Sequence, residues 1–203
     1  MNILELEKEK KNTKNKIKMG EVRQSLFFII VGTNGTGKTT LLNKLIGESG
    51  RKALIVEPDG FEWRDVKEID ISQVAEFSAG FGKVVAPDTE DLEELIYFQN
   101  GSLVLDDCRY YLKSRMEEAI RKILIRRRHN SIDVFAVAHG LSEVPASFYT
   151  FATHLICFKT NDSLVRLRNN TDKEKIHRLR VAIDDVNKHP NPHHFEVFNI
   201  SEI

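Results

Sequence analysis

The sequence has little of what marks secreted or membrane proteins. It contains two cysteines, Cys108 and Cys157, and both lie at or inside apolar segments typical of core strands. This excludes a disulfide framework and indicates a reducing, cytoplasmic setting. No signal peptide is visible, and the longest apolar runs are much shorter than the about 20 residues of a membrane-spanning helix. We therefore expect no membrane span.

The chain also lacks an excess of charge of either sign. Lysine plus arginine and aspartate plus glutamate both number 30, so net charge neither favours nor excludes a polyanionic partner. Lysines are nevertheless concentrated in residues 1–21, which we interpret as a basic arm that is either a solvated tail or a nucleic-acid contact. Residues 22–203 have the length of a single α/β domain.

The sequence does contain a glycine-rich loop of the type that binds nucleotide phosphates. Gly32 and Gly37 are separated by four residues, and Lys38 and Thr39 follow at once, which is the P-loop pattern. Glycines let backbone N–H groups point at a phosphate chain, the lysine adds positive charge, and the Thr39 hydroxyl is a ligand for Mg²⁺. The expected nucleotide-binding residues are Gly32, Thr33, Asn34, Gly35, Thr36, Gly37, Lys38, Thr39 and Thr40.

The surroundings of this loop fit a strand, a loop and a helix in succession. Residues 26–31 form an apolar run, as a buried parallel strand requires. After the loop, apolar residues recur at helical spacing, and Gly47 is expected to end the helix. An ordinary glycine turn is the alternative interpretation, and this context counts against it.

A second landmark is an apolar strand that ends in two acids. Residues 102–105 are followed by Asp106 and Asp107, the pattern of a Walker B motif. In a parallel sheet, Asp106 would lie beside the P-loop and hold Mg²⁺ together with Thr39, because this cation prefers oxygen ligands. Asp107 would polarise the attacking water, where many P-loop ATPases carry the longer glutamate. Without the P-loop, the two aspartates would indicate only a turn.

A helix predicted from about residue 112 combines an apolar stripe with many basic residues and ends in Arg126, Arg127, Arg128 and His129. Cations at the C-terminus of a helix stabilise its dipole, which is one explanation of the cluster. The other is functional: an arginine finger for a neighbouring subunit's γ-phosphate, a DNA backbone contact, or both. Any of the three arginines could be the finger, and the sequence alone does not choose among them.

A polar residue follows the next apolar strand, which covers residues 132–138. His139 would lie level with the two acids in a parallel sheet, where it could sense the γ-phosphate or the attacking water; alternatively, it is exposed on a loop. Glu57, at the end of a strand over 53–56, lies either near the nucleotide or in a turn. Further strands are expected over 83–86, 154–158, 163–168 and 195–200, with helices from 88 and over 173–187.

These motifs, in this order, make the chain similar to the FtsK/HerA division of P-loop motor ATPases. Within that division it resembles the viral genome-packaging ATPases and the Zot-like phage assembly ATPases. The resemblance covers residues 27–160. Its later part depends on the run RHNSIDVFAVAH at 128–139, on Val-Pro at 144–145 and on the strand that ends at 158–160.

The resemblance implies an α/β fold of the ASCE type, with a mostly parallel central sheet in the order 5-1-4-3-2 and helices on its flanks. We expect extra C-terminal strands at the edge. It also implies ATP hydrolysis with Mg²⁺, a homo-oligomeric ring of five or six subunits, and double-stranded DNA passing through the ring. Phage or viral capsid proteins would be further partners, in the host cytoplasm if a phage encodes the chain.

The resemblance also assigns roles to residues. Asp106 binds Mg²⁺, Asp107 activates water, His139 is the sensor and Arg128 is the finger given to the next subunit. Family members usually carry an amide near the position of His139, so a histidine there would make activity sensitive to pH. Zot-like proteins commonly continue into a membrane span, which this sequence does not show, so a packaging motor is favoured.

Other functions are compatible with a P-loop. A small kinase would use Lys38 and the arginines for phosphoryl transfer within one subunit, but it needs an arginine-bearing lid, whereas the basic run precedes the strand at 132–138. A GTPase is disfavoured because residues 159–162 contain the letters of a guanine-binding motif in the wrong order. A nucleotide-binding assembly subunit that does not translocate DNA remains an open alternative.

Overall fold

The computed structural model describes residues 25–161 and 173–200, so the predicted arm over 1–21 and the predicted strand over 163–168 lie outside the described residues. The described chain forms a sheet with helices on both faces. The strands are β1 (Phe27–Val31), β2 (Lys52–Glu57), β3 (Lys67–Glu68), β4 (Phe81–Val85), β5 (Gly101–Leu105), β6 (Asp133–Ala138), β7 (His154–Phe158) and β8 (Phe195–Asn199). The α-helices are α1 (Lys38–Glu48), α2 (Thr89–Glu94), α3 (Ser114–Arg126), α4 (Ala146–Phe151) and α5 (Lys173–Lys188).

The strand order confirms the predicted fold. Across the sheet the order is β3-β4-β2-β5-β6-β1-β7-β8. The five strands β7-β1-β6-β5-β2 reproduce the expected 5-1-4-3-2 arrangement, with the strand of the two acids separated from the P-loop strand by β6. All neighbours are parallel except β7 and β8, which pair antiparallel. The predicted C-terminal edge strand is therefore present as β8.

Strand β1 lies in the interior of the sheet, and both of its faces are apolar. None of its five side chains is more than 3% exposed. Phe27, Ile29 and Val31 belong to the core on one face of the sheet, and Phe28 and Ile30 belong to the core on the other. A strand buried on both faces needs a continuous apolar run rather than an alternating one, and the sequence supplies it.

The helices cover the two faces unequally. Helix α1 packs on one face through Leu41, Leu42, Leu45 and Ile46. The opposite face carries α2, α3, α4 and α5, which contribute buried residues such as Ile120 to the larger core. Helix α2 begins with a capping box in which the Asp88 and Asp91 side chains accept each other's backbone N–H groups. No helix within residues 25–161 or 173–200 is long and apolar enough to cross a membrane.

Two sequence-based boundaries that involve a glycine are wrong. Helix α1 continues through Gly47 to Glu48, so Gly47 does not end it. The helix instead gives way to a turn at Gly50, whose φ of +63° is left-handed. Strand β4 begins at Phe81, two residues earlier than expected, because it pairs with β2 from Ala53 onward. Both errors have one cause: a glycine is compatible with a helix or strand when tertiary packing supports that element.

Two glycine-to-alanine substitutions should have opposite effects on stability. A methyl group at Gly101 would lie 2.7 Å from the Lys52 carbonyl oxygen and 2.5 Å from the Phe98 ring, so Gly101→Ala should lower the unfolding free energy by about 1–3 kcal/mol. Gly47 is helical and has open space around it, so Gly47→Ala should raise it by about 0.5–1 kcal/mol. Urea unfolding followed by circular dichroism measures both. Equal stabilities of the two variants would contradict the β2–β5 contact.

Candidate functional site

Several predicted functional residues converge at the carboxyl ends of the central strands. Because these strands are parallel, their carboxyl ends lie on the same side of the sheet, which we call the carboxyl edge. Val31 is paired with Ala138, so the P-loop that follows β1 lies beside His139, which follows β6. Leu105 is paired with Ala136, which places Asp106 one strand further along the same edge. Ligands of open α/β sheets bind at this edge.

The P-loop is held by contacts with the neighbouring strands. The Thr33 N–H donates to the Lys159 carbonyl at 2.8 Å, and the Thr36 hydroxyl donates to the Thr33 carbonyl at 2.8 Å. Gly32 has no room for a side chain, since a Cβ there would lie 2.5 Å from the Cβ of Phe158. Gly35 and Gly37 have φ values of +76° and +98°. The loop thus adopts a conformation that only glycines accommodate at these positions without strain.

Lys38 bends back over this loop. Its Nζ donates to the Gly32 carbonyl at 2.6 Å and to the Thr33 carbonyl at 3.1 Å, and only 8% of the residue is exposed. Burial lowers the pKa of Lys38, while the negative charges of Asp106, Glu62 and Glu143 act in the opposite direction. The lysine ammonium is therefore within the electrostatic reach of the acid that follows β5. Of the other predicted binding residues, Asn34, Gly35 and Thr40 are exposed and Thr39 is half-buried at the start of α1.

Asp106 is a largely buried carboxylate with both oxygens engaged. Oδ2 accepts from Trp63 Nε1 at 2.8 Å, and Oδ1 accepts from the Asp107 backbone N–H at 3.0 Å. Burial raises the pKa of Asp106, and the hydrogen bonds from Trp63 and Asp107 act against it; Glu62 and Glu57 raise it further. A nearby cation would relieve this cost, because it favours the ionised carboxylate.

The donor set fits a magnesium ion bound together with phosphates. Within residues 25–161 and 173–200, no group of three or more histidine, cysteine or acidic side chains could hold a metal by itself. Mg²⁺ is commonly held by one or two protein oxygens, with substrate phosphates and water completing its shell. The Asp106 carboxylate and the Thr39 hydroxyl are oxygen ligands of this kind.

Asp107 has a different environment from Asp106. It adopts a left-handed backbone conformation with φ of +43° and accepts from Arg109 Nε at 3.0 Å and from Arg109 Nη2 at 3.1 Å. Burial would raise the pKa of Asp107, but the hydrogen bonds and charge of Arg109, with a contribution from His139, outweigh it and the pKa is lowered. Asp107 is therefore ionised at neutral pH, which suits it to orient water better than to remove its proton.

His139 is connected to Asp107 through a second acid. The His139 backbone N–H donates to Glu143 Oε2 at 3.1 Å, and Glu143 Oε1 lies 3.6 Å from Arg109 Nη1. Arg109 in turn pairs with Asp107. The His139 ring is half-buried at the edge of the sheet rather than fully exposed on a loop. The network therefore joins Asp107 to the backbone of His139 through Arg109 and Glu143.

The basic cluster is not brought to this edge. The turn after α3 leads into the amino end of β6: the Ile132 N–H donates to the Arg127 carbonyl and the Ser131 N–H to the Arg128 carbonyl. The six residues of β6 span about 20 Å, so Arg126 and Arg128 lie far from the P-loop of their own chain. Both are exposed.

Arg127 has a structural role that removes it from the three candidates for a finger. It is 7% exposed, and its guanidinium donates to the Leu124 carbonyl at 2.8 Å and to the Phe151 carbonyl at 3.1 Å. Burial, followed by the charge of Arg128, lowers its pKa. These bonds join the end of α3 to the end of α4.

Four residues around the site were not found from the sequence: Trp63, Lys83, Arg109 and Glu143. Arg109 and Glu143 could have been suspected, because each follows a strand end by only a few residues. Trp63 lies in a segment without helical or strand periodicity. Glu57 is 1% exposed and pairs with Lys83 at 2.9 Å. The two interpretations from the sequence, a position near the nucleotide and a position in a turn, did not include this buried ion pair. A lysine inside an apolar strand was the only available signal for this pair.

Comparison with known proteins supports the fold. No family model matches the chain, and neither does any curated protein. Among solved structures, the genome packaging NTPase B204 of Sulfolobus turreted icosahedral virus 2 is similar in complexes with sulfate and with AMPPCP. Each gives a TM-score of 0.69 at 16% identity and covers 88% of this chain and 93% or 94% of B204. B204, the DNA-packaging ATPase of Sulfolobus turreted icosahedral virus, gives a TM-score of 0.64 at 14% identity, and the match covers 87% of this chain and 93% of that protein.

Two neighbouring arginines should differ in their effect on stability. Arg127→Ala should lower the unfolding free energy by about 1–3 kcal/mol, because it removes a buried hydrogen bond to the Leu124 carbonyl and a partly buried one to the Phe151 carbonyl. Arg128→Ala removes an exposed side chain and should leave the urea unfolding midpoint unchanged. A wild-type midpoint for Arg127→Ala would contradict a structural role for Arg127.

Proposed function

We propose that this chain is an ATP-hydrolysing motor that moves or packages double-stranded DNA as a ring of subunits. The observation that carries the proposal is the strand pairing that brings the P-loop with Lys38 and the acid Asp106 to the carboxyl ends of one parallel sheet. The fold is similar to that of two B204 proteins, the genome packaging NTPase of Sulfolobus turreted icosahedral virus 2, solved in complex with AMPPCP, and the DNA-packaging ATPase of Sulfolobus turreted icosahedral virus.

The residues at this edge have separate roles in the proposed reaction. The P-loop N–H groups and Lys38 bind the β- and γ-phosphates, and the start of α1 directs its positive dipole end at them. Thr39 and Asp106 would hold Mg²⁺, which neutralises charge on the phosphate oxygens when it is bound. Asp107, kept ionised by Arg109, orients the attacking water. His139 lies where a hydrogen bond to the γ-phosphate or the water can report hydrolysis.

The position of Arg128 favours action in trans. It is exposed near the amino ends of the strands, whereas its own P-loop lies at their carboxyl ends, so it does not complete the site of its own chain. In a closed ring of five or six identical subunits, one surface of a subunit contacts a different surface of the next. Arg128 would then reach the γ-phosphate of a neighbour, with Arg126 as the remaining candidate. If a phage or virus encodes the chain, phage or viral capsid proteins are the further partners and the host cytoplasm is the setting.

Removal of the P-loop lysine should abolish hydrolysis. Lys38→Ala should reduce ATP turnover by about 100-fold or more, because it removes the positive charge from the phosphate site. Duplex DNA should stimulate the wild-type rate several-fold. Phosphate release with and without duplex DNA measures both effects.

A second lysine on the same helix provides the control. Lys44 is exposed and pairs with Glu48 at 3.7 Å, so Lys44→Ala should retain wild-type turnover. Equal turnover of Lys38→Ala and wild type would overturn the nucleotide role of the loop. DNA-independent transfer of phosphate to a small acceptor would indicate a kinase, and ATP binding without turnover would indicate an assembly subunit.

Mixed assemblies should show whether the finger acts between subunits. Arg128→Ala and Lys38→Ala should each be inactive alone. Mixed together, they should recover part of the activity, because some interfaces then combine an intact P-loop with an intact Arg128. Phosphate release across a series of mixing ratios measures the recovery. If the rate at every mixing ratio equals the sum of the rates of the two variants alone, Arg128 does not act between subunits. Arg126→Ala should then be tested in the same way.

A further inference from the structure

A tryptophan side chain lies directly against the acid that follows β5. The Trp63 indole N–H donates to Oδ2 of Asp106 at 2.8 Å, and Trp63 is 4% exposed. An indole N–H is a donor only, and when buried it needs a partner. Here the partner is the carboxylate proposed to hold Mg²⁺, so the bond restricts how that carboxylate can rotate.

The turn that carries Trp63 is held by a buried ion pair. Lys83 on β4 pairs with Glu57 Oε1 at 2.9 Å and also donates to the Gly60 carbonyl at 3.2 Å. The second oxygen of Glu57 accepts from the Glu62 N–H at 3.3 Å. The pair thus holds the turn between β2 and Trp63 at two points. Both Glu57 and Lys83 are buried, at 1% and 6% exposure, so water offers little competition for these bonds.

The indole ring is also held by packing. Trp63 belongs to the core on the α1 side of the sheet, together with Ile55 and Val104. The Val66 N–H donates to the Trp63 carbonyl at 3.1 Å, which holds the backbone on the far side of the residue. The ring position is therefore set by the core, and the direction of its N–H follows from that position.

Two donors then set the orientation of Asp106. Trp63 holds Oδ2, and the Asp107 backbone N–H holds Oδ1 at 3.0 Å. The terminal torsion of an aspartate is broad, so without such donors the carboxylate samples a wide range of angles. Residues that orient metal ligands in this way commonly contribute 10–100-fold to metal affinity.

We propose that Trp63 is a positioning residue that holds the Asp106 carboxylate ready for the metal of the bound nucleotide, and that the Glu57–Lys83 pair holds Trp63 in place. This inference rests on the proposed function. Because Trp63 is the only tryptophan in the chain, its emission also reports on the carboxylate that it contacts.

Metal binding measured without turnover tests the inference. Mn²⁺ replaces Mg²⁺, and its binding to the protein loaded with AMPPCP is followed by electron paramagnetic resonance. Trp63→Phe keeps an aromatic ring but removes the N–H, and it should weaken Mn²⁺ binding by about 10–100-fold. Binding of AMPPCP without metal should be unchanged. An Mn²⁺ affinity of Trp63→Phe within about twofold of wild type would overturn the inference.

Tyr111→Phe is the matched control. Tyr111 is fully buried and its hydroxyl donates to the Val56 carbonyl at 3.0 Å, so this variant also loses one aromatic donor. The same carbonyl still accepts the Asp106 N–H at 2.9 Å. Mn²⁺ affinity should stay within about twofold of wild type. An equal loss in Tyr111→Phe and Trp63→Phe would attribute the effect to general destabilisation and overturn the inference.

Asp106→Asn separates this inference from the function on which it rests. If Asp106→Asn retains Mn²⁺ affinity, the metal role of Asp106 is wrong. If it loses affinity while Trp63→Phe does not, only the role of Trp63 is wrong. Emission of the wild-type protein provides a readout even if Trp63→Phe does not fold. It should change when Mg²⁺ is added to the AMPPCP complex and should not change in Asp106→Asn, and a silent wild-type emission would overturn the inference.

Discussion

The parallel pairing of β1 with β6 and β7 is the constraint on which the rest of the structure depends. Parallel strands have their carboxyl ends on the same side of the sheet. Strands β1, β6 and β7, which are far apart in the sequence, therefore end next to one another in space. The same pairing requires β1 to be apolar on both faces, and its five buried side chains meet that requirement. Polar chemistry can begin only where the apolar strands end, which is why Gly32, Asp106 and His139 each follow a strand directly.

The two adjacent aspartates show how one site can hold carboxylates with different roles. Burial raises the pKa of Asp106, whereas the charge and hydrogen bonds of Arg109 lower that of Asp107 despite its burial. Burial thus destabilises the anion of Asp106, which a bound cation would offset under the proposed function, whereas Arg109 stabilises the anion of Asp107. A separation of this kind commonly distinguishes functional carboxylates that share a site. It follows from the neighbours of each residue and not from its place in the motif.

The sequence was sufficient for most strands and helices and for the residues that end the strands, because apolar runs and glycine spacing are local signals. These signals predicted the P-loop that joins β1 to α1, while the order of the five central strands was implied by the resemblance to the FtsK/HerA division. The sequence did not predict Trp63, whose contact with Asp106 joins residues 43 positions apart across a segment without periodicity. Nor did it separate Arg127 from Arg128, since two neighbouring arginines differ only in the direction of their side chains. Tertiary packing decides such features, and Gly47 within α1 is a further case.

The distance between Arg128 and its own P-loop has a consequence for how energy use would be controlled. Under the proposed function, a chain whose P-loop and arginine finger lie at opposite ends of the strands cannot complete its site alone. Under the proposed function, a newly made subunit diffusing in the cell would hold nucleotide without consuming it. Hydrolysis would begin only at concentrations that support assembly, or where a binding partner gathers the subunits. The geometry of the sheet would then act as a safeguard against wasteful turnover, with no separate inhibitor required.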